Sequence, residues 1–159
     1  MNWRNIFRLF LVSAWVFALL SGNAVAQQSP DEEGVKAASK AFYAALAVID
    51  DGTAMDKVVA HTPYITFTSP RGNSIYVGYD AWKKYWPNAN KLFLVRTVSL
   101  SEQHIHVNGN LAWEMGEETG DAKLKNGTAR KVNYLVTNVY ERIDGHWLMV
   151  SHHAQPKPQ

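Results

Sequence analysis

Two of the six histidines in this sequence, His152 and His153, stand side by side near the C-terminus. Histidine is the side chain best suited to proton transfer near neutral pH. Residues 146–154 have the composition of a β-strand, in which side chains alternate between two faces. Met149, Ser151 and His153 are therefore predicted to share one face, with His152 on the other. If the first face lines a cavity, His153 is the candidate general acid or base; the alternative is a structural histidine bonded to a neighbouring strand or held at a dimer interface.

The side chains predicted to lie beside His153 are not ionisable. Asn133 and Thr137 come from the preceding strand-like run. Glu114 and Glu117 are the carboxylates considered, but an odd spacing places them on opposite faces of their strand. No carboxylate is thus expected to pair with His153.

Other kinds of site are poorly supported by the sequence. His104 and His106 have chelating spacing, but no third ligand is spaced for zinc, so no metal is expected. The chain has no cysteine and therefore no thiol nucleophile or disulfide. It also lacks a nucleophile-elbow motif and a glycine-rich phosphate loop. We expect no cofactor.

The N-terminal residues have the pattern of a secretory signal peptide. Arg4 and Arg8 precede an apolar run, and Ala24-Val25-Ala26 forms a small-x-small cleavage site. The run is shorter than the roughly 20 residues of a membrane span. Cleavage after Ala26 would deliver a periplasmic or secreted protein with no membrane attachment, and the alternative is an uncleaved anchor. We assign residues 1–26 to the signal, 27–155 to one domain and 156–159 to a disordered tail.

Charge argues against nucleic acid as a partner. Without the two arginines of the signal, 14 basic residues face 14 acidic residues, so the mature chain is formally neutral. A nucleic-acid or anionic-membrane surface requires a basic excess. A small molecule is the expected partner.

The elements predicted for the first half of the domain are mostly helical. Ser29-Pro30 can begin a helix that Asp50-Asp51-Gly52 ends, and Thr53 begins a second, short helix. Residues 63–69 and 74–77 have strand composition and flank a turn. A third helix is predicted from Asp80 to Trp86, where Pro87 would end it.

The second half is predicted to be an antiparallel meander. Extended runs at 92–107, 111–119, 131–142 and 146–154 are separated by Asn108-Gly109, Asn126-Gly127 and Asp144-Gly145, which are typical hairpin turns. The first run is expected to break near Ser101-Glu102. Helices followed by a meander predict an α+β fold with the helices on one face of a curved sheet.

Three segments of the chain resemble the SnoaL-like group of the nuclear transport factor 2-like superfamily. They are AALAVIDDGTAMDKVVAHTPYITFTSP, GYDAWKKYW and TNVYERIDGHWLMVSHHAQ, and the last is the most specific. The resemblance implies a cone, in which a strongly curved antiparallel sheet is wrapped by three N-terminal helices around a pocket, and a homodimer formed through the sheet. The family's terminal histidine matches His153, which implies that this face of the strand turns toward the pocket.

The resemblance also argues against one mechanism. Ketosteroid isomerases of the superfamily use a first-helix tyrosine and an aspartate before a proline. Those positions fall on Phe42 and Ser69, and neither side chain can do that work. Tyr43 is adjacent, but one helical residue turns the side chain by about 100°.

Aromatic residues from several elements are predicted to wall the pocket, with a few polar side chains among them. The predicted ligand-binding set is Tyr64, Phe67, Trp82, Trp86, Trp113, Asn133, Tyr134 and Thr137. Such a pocket suits a small hydrophobic or aromatic molecule, and Arg71 at its mouth could meet a carboxylate. Two alternatives remain open: a non-catalytic dimerisation module with a filled pocket, and an isomerase or lyase.

Overall fold

The computed structural model describes residues 29–70, 72 and 74–158. Its elements, in chain order, are α1 Pro30–Ala47, α2 Thr53–Asp56, β1 Thr66–Thr68, β2 Ile75–Val77, α3 Tyr79–Asn90, β3 Phe93–Asn108, β4 Leu111–Leu124, β5 Ala129–Ile143 and β6 His146–Pro156. The predicted signal peptide and Arg71 lie outside the described residues. Within them, no helix combines the length and the apolar character needed to cross a membrane.

Helix α1 begins as its sequence predicts. The Ser29 hydroxyl accepts a hydrogen bond from the Glu32 amide at 3.1 Å, and Pro30 occupies the first turn. The buried side chains recur at helical spacing and include Val35, Phe42 and Leu46. The helix therefore lays one apolar stripe on the sheet.

The six strands form one sheet in the order β2-β1-β6-β5-β4-β3. Strands β3 to β6 form the predicted antiparallel meander, and β1 joins β6 in parallel. Helix α1 packs against both β3 and β6, which lie at opposite sides of the meander, so the sheet must curve around the helix. The α+β prediction with a curved, open sheet and N-terminal helices is confirmed.

Two local features let the long strands bend. The pairing of β3 with β4 shifts between Ser101 and His104, close to the predicted break, and Glu102 there has a φ of 50°. At Gly120 of β4, an added Cβ would lie 2.0 Å from the Thr97 carbonyl oxygen. Only glycine permits this approach of the two backbones.

Helix α3 differs from its prediction at the C-terminal end. Pro87 does not end the helix, which continues to Asn90. Trp82, Trp86 and Asn90 are all buried at intervals of four residues, so packing holds the last turn despite the missing proline amide. The Lys91 amide donates to the Pro87 carbonyl at 3.3 Å and continues the ladder.

The C-terminal residues are attached to the sheet. Strand β6 runs to Pro156, and the Lys157 amide donates to the Asn133 carbonyl at 3.0 Å. The Lys157 ammonium group also lies 2.5 Å from a Glu117 carboxylate oxygen. The first two residues of the predicted tail, 156 and 157, are thus paired with β5 and β4.

Candidate functional site

A β-bulge in the last strand reverses the predicted positions of the two adjacent histidines. Tyr140 of β5 pairs with Met149, but the neighbouring Val139 pairs with Ser151, so Val150 is an extra residue in β6. The bulge shifts the alternation by one residue. His152 therefore points inward and is only 5% exposed.

The prediction that His153 faces the cavity is wrong. Its side chain is exposed on the outer face of the sheet, where it pairs with Thr137 across β5 and β6. Both residues border a second, smaller pocket of about 360 Å³ on that face. The structure therefore places His153 outside the cavity on the inner face, for which its catalytic role was predicted.

The inner face of the sheet bounds a cavity of about 730 Å³. Six aromatic residues of β1, β2, α3, β3 and β5 contribute rings to its wall, namely Phe67, Tyr76, Tyr85, Trp86, Phe93 and Tyr134. Glu118 and His152 are the acid and the imidazole that line it. Phe67 lies beside His152 in the parallel pairing of β1 with β6, and their rings stack at 5.5 Å.

Three of the eight predicted pocket residues, Phe67, Trp86 and Tyr134, lie on this wall. Trp82 lies behind it, only 2% exposed, and contacts Phe67 and Trp86 edge to face. Tyr64 is 52% exposed away from the cavity and donates to Glu141 at 2.7 Å.

The other three predicted pocket residues lie on the outer face of the sheet. Trp113 is exposed and packs on His106 at 4.3 Å between ring centres. Asn133 and Thr137 occupy the alternate positions of β5 that point away from the cavity. Thr137 pairs directly with His153, so the same error in strand alternation accounts for Asn133, Thr137 and His153.

The acid at the cavity is positioned by helix α1. Glu118 is 3% exposed and accepts a hydrogen bond from the Tyr43 hydroxyl at 3.0 Å. The same carboxylate oxygen lies 3.9 Å from Nε2 of His152. Tyr43 itself does not line the cavity, so its hydroxyl serves to hold Glu118 in place.

An amide fixes the tautomer of the imidazole. Asn138 Nδ2 donates to a Glu114 oxygen at 2.8 Å and to the Tyr43 hydroxyl at 3.3 Å, which orients the amide. Its Oδ1 then lies 2.8 Å from Nδ1 of His152 and can only accept, so Nδ1 carries the proton. Nε2 therefore carries a lone pair, and this nitrogen is the one that lies near Glu118.

A second glutamate lies deeper in the same network. Glu114 is fully buried, and one of its oxygens accepts from Ser39 at 3.0 Å, Asn138 at 2.8 Å and Tyr140 at 2.8 Å. Gln103 donates to the other oxygen. Glu114 does not line the cavity and is saturated with donors, so its place is structural.

Burial displaces the proton affinities of the two cavity groups in opposite directions. It raises the pKa of the Glu118 carboxyl to about 7, with a further rise from the charge of Glu114 and an opposing effect from the Tyr43 hydrogen bond. Burial lowers the pKa of His152 to about 3, and His153 adds to the decrease. Near neutral pH the imidazole is therefore neutral, and the carboxyl exchanges its proton.

This arrangement is suited to general acid–base chemistry. A carboxyl with a pKa near the working pH can donate a proton in one step and accept one in the next. Within the described residues, no group of three histidine, aspartate or glutamate side chains is placed to hold a metal.

Sequence reasoning missed Glu118, although a signal was present. The inward positions of β4 alternate and carry Ala112, Glu114, Glu118, Ala122 and Leu124, all buried. An even spacing from Glu114 places Glu118 on the same, otherwise apolar, face. The comparison of Glu114 with Glu117 alone overlooked this pair.

Proteins of known structure share this fold. A Streptomyces avermitilis protein proposed to be a dehydratase of the NTF2-like family is 20% identical, with 81% of this chain and 98% of that chain covered and a TM-score of 0.72. A Novosphingobium aromaticivorans protein proposed to be an aromatic ring hydroxylase is 18% identical, with coverage of 83% and 94% and a TM-score of 0.73. A Thiobacillus denitrificans protein proposed to be a calcium/calmodulin-dependent protein kinase type II association domain is 25% identical, with coverage of 77% and 94% and a TM-score of 0.65.

No curated protein sequence matches this chain at a significant level. The family profile of the SnoaL-like domain, in contrast, matches residues 35–155, which span α1 to β6. The chain therefore belongs to the SnoaL-like domain family, as its sequence motifs predicted.

Proposed function

We propose that the domain binds a small aromatic molecule in its cavity and moves a proton on it with Glu118 and His152, as an isomerase or lyase. The observation that carries the proposal is the position of this pair. Both side chains line an aromatic-walled cavity of about 730 Å³ and are almost fully buried. Ionisable groups with displaced pKa values in such a cavity are typical of active sites.

The cavity argues against a module whose pocket is filled by its own side chains. Its volume is in the range of small-molecule sites, and its aromatic rings would cover the faces of a flat ligand. The proposed dehydratase among the fold relatives is consistent with lyase chemistry, but this is analogy alone, because one fold supports many reactions.

We propose that the reaction begins with removal of a proton from the carbon next to a carbonyl, a step that can be tested without the natural substrate. In D₂O, we expect the protein to accelerate exchange of the α-protons of a two-ring aromatic ketone such as 1-tetralone, followed by NMR. Glu118→Gln and His152→Gln should each lower this rate by roughly 100- to 10,000-fold, because each removes a proton-transfer group. Binding of the ketone, measured by thermal shift, should persist.

His153→Gln is the matched control, because the neighbouring ring lies on the outer face of the same strand. It should leave the exchange rate within about twofold of the wild type. Exchange at the buffer rate in the wild-type protein, or equal losses in His152→Gln and His153→Gln, would refute the proton-transfer role.

We also propose a homodimer formed through the outer face of the meander. Leu111, Trp113 and Met115 alternate along β4 and are 50%, 42% and 53% exposed on that face. An apolar row of this kind on a sheet is a common site of association. Met115→Glu should shift the protein from dimer to monomer in light scattering after size exclusion, whereas Lys83→Glu on α3 should not. A wild-type monomer at micromolar concentration would exclude the dimer.

A further inference from the structure

Among the described residues, Arg96 is a buried cation without a carboxylate partner. It lies on the inner face of β3 and is 7% exposed. Its Nε donates to the Leu46 carbonyl at 2.7 Å, and one terminal nitrogen donates to Asn90 at 3.0 Å. The ion pairs formed among the described residues do not include it. Buried charges are ordinarily paired, so this guanidinium requires an explanation.

The guanidinium also belongs to the cavity. Arg96 lines its wall, stacked 4.8 Å from the Phe93 ring and 5.6 Å from the Trp86 ring. Two of its five N–H groups are used by Leu46 and Asn90, which leaves three donors for a ligand. Burial lowers its pKa to about 10, so the group remains a cation at neutral pH.

Most of the charged side chains that line the cavity are cationic, like Arg96. Lys84, Arg130 and Lys131 line it together with Arg96, whereas Glu118 is the single carboxylate among its described lining residues. Lys131 is exposed and paired with Asp121 at 2.6 Å, Lys84 is exposed and Arg130 is half-buried. Arg96 is therefore the most buried of the four cations. Positive charge is thus concentrated at this cavity.

Strand pairing separates this cation from the proton-transfer pair. Arg96 is opposite Ala122, and Leu100 is opposite Glu118, so the two groups stand four residues apart along the sheet. At about 3.3 Å per residue this is roughly 13 Å between backbone positions. A ligand held at Arg96 by one end can therefore place its other end near Glu118.

We propose that the ligand is an aromatic carboxylic acid whose carboxylate binds Arg96 while its far end reaches Glu118 and His152. Guanidinium matches a carboxylate with two parallel hydrogen bonds, and the rings of Phe93 and Trp86 exclude water around them. This inference specifies the ligand class of the proposed function and rests on that function.

The experiment compares two probes of equal shape, 2-naphthoate and its neutral amide 2-naphthamide, by calorimetry on the full mature protein. We expect the wild type to bind the acid at least tenfold more tightly than the amide. Arg96→Met should abolish this preference by weakening the acid alone. Lys123→Met, at an exposed lysine on the outer face of β4 and outside the cavity wall, should change the preference by less than about threefold.

The outcomes separate the two proposals. Equal affinity of the wild type for acid and amide would overturn the carboxylate inference and leave the aromatic cavity supported. Binding of neither probe would overturn both. If Arg96→Met does not fold, the wild-type comparison still decides, and tight acid binding should then weaken as salt is raised.

Discussion

Replacing Glu118 by glutamine should raise the free energy of unfolding at pH 8 but not at pH 4. The change at pH 8 should exceed the change at pH 4 by about 3 kcal/mol. The folded-state pKa of Glu118 is raised to about 7 from an ordinary value of 4.5. Between these values the folded state binds the proton more tightly than the unfolded chain does. Stability is therefore lost as the pH rises through this window, and the loss is complete above pH 7. Because glutamine does not titrate, the variant does not lose this stability as the pH rises.

His152 contributes with the opposite sign. Its folded-state pKa is lowered to about 3 from 6.5, so the unfolded chain binds more protons between these values. Stability from this residue is present above pH 6.5 and is lost as the pH falls toward 3. The two windows overlap, so the wild-type profile alone would conceal the effect of Glu118.

The difference in the free energy of unfolding between Glu118→Gln and the wild type reports the ionisation of Glu118 alone. Urea unfolding of both proteins at pH 4, 6 and 8 gives that difference directly. A Glu118→Gln difference that stays flat from pH 4 to pH 8 would show that Glu118 ionises as an ordinary surface acid, and the general acid–base assignment would fall with it.

Local signals were enough to predict most of the fold. The cap at Ser29 and the turns at Asn108-Gly109 and Asp144-Gly145 act over a few residues, and each marks an element boundary in the structure. The open, curved sheet then follows from the order of the elements. Pro87 misled the prediction because its local preference is overridden by packing of the buried tryptophans on α3.

The site was harder to predict because it depends on the phase of one strand. A single extra residue, Val150, exchanges the roles of His152 and His153, and nothing in the residue types around it marks a bulge. Thr137 and Asn133 were predicted to lie on the inner face together with His153, and all three lie on the outer face. The partnership of Ser39 and Tyr43 with Glu114 and Glu118 was equally hidden, since it joins residues 75 positions apart.

Glu114 should prove the most costly carboxylate to remove. Glu114→Ala would leave the Ser39, Asn138 and Tyr140 donors without their common acceptor in a site that water does not reach. Breaking a buried polar network of this kind typically costs about 3–5 kcal/mol. We expect a loss of that size in the free energy of unfolding, measured with urea.

Glu114→Gln is the matched control, because its amide oxygen can keep the three buried donors while its amide nitrogen meets Gln103, whose own amide can turn to accept. The cost should be about 1 kcal/mol. Adding Tyr140→Phe to Glu114→Ala removes one stranded donor, so the double variant should be more stable than the sum of the two single losses predicts. Strictly additive losses would mean that Glu114 only fills space in the core. They would contradict its role as the shared acceptor that orients Asn138, which in turn orients the ring of His152.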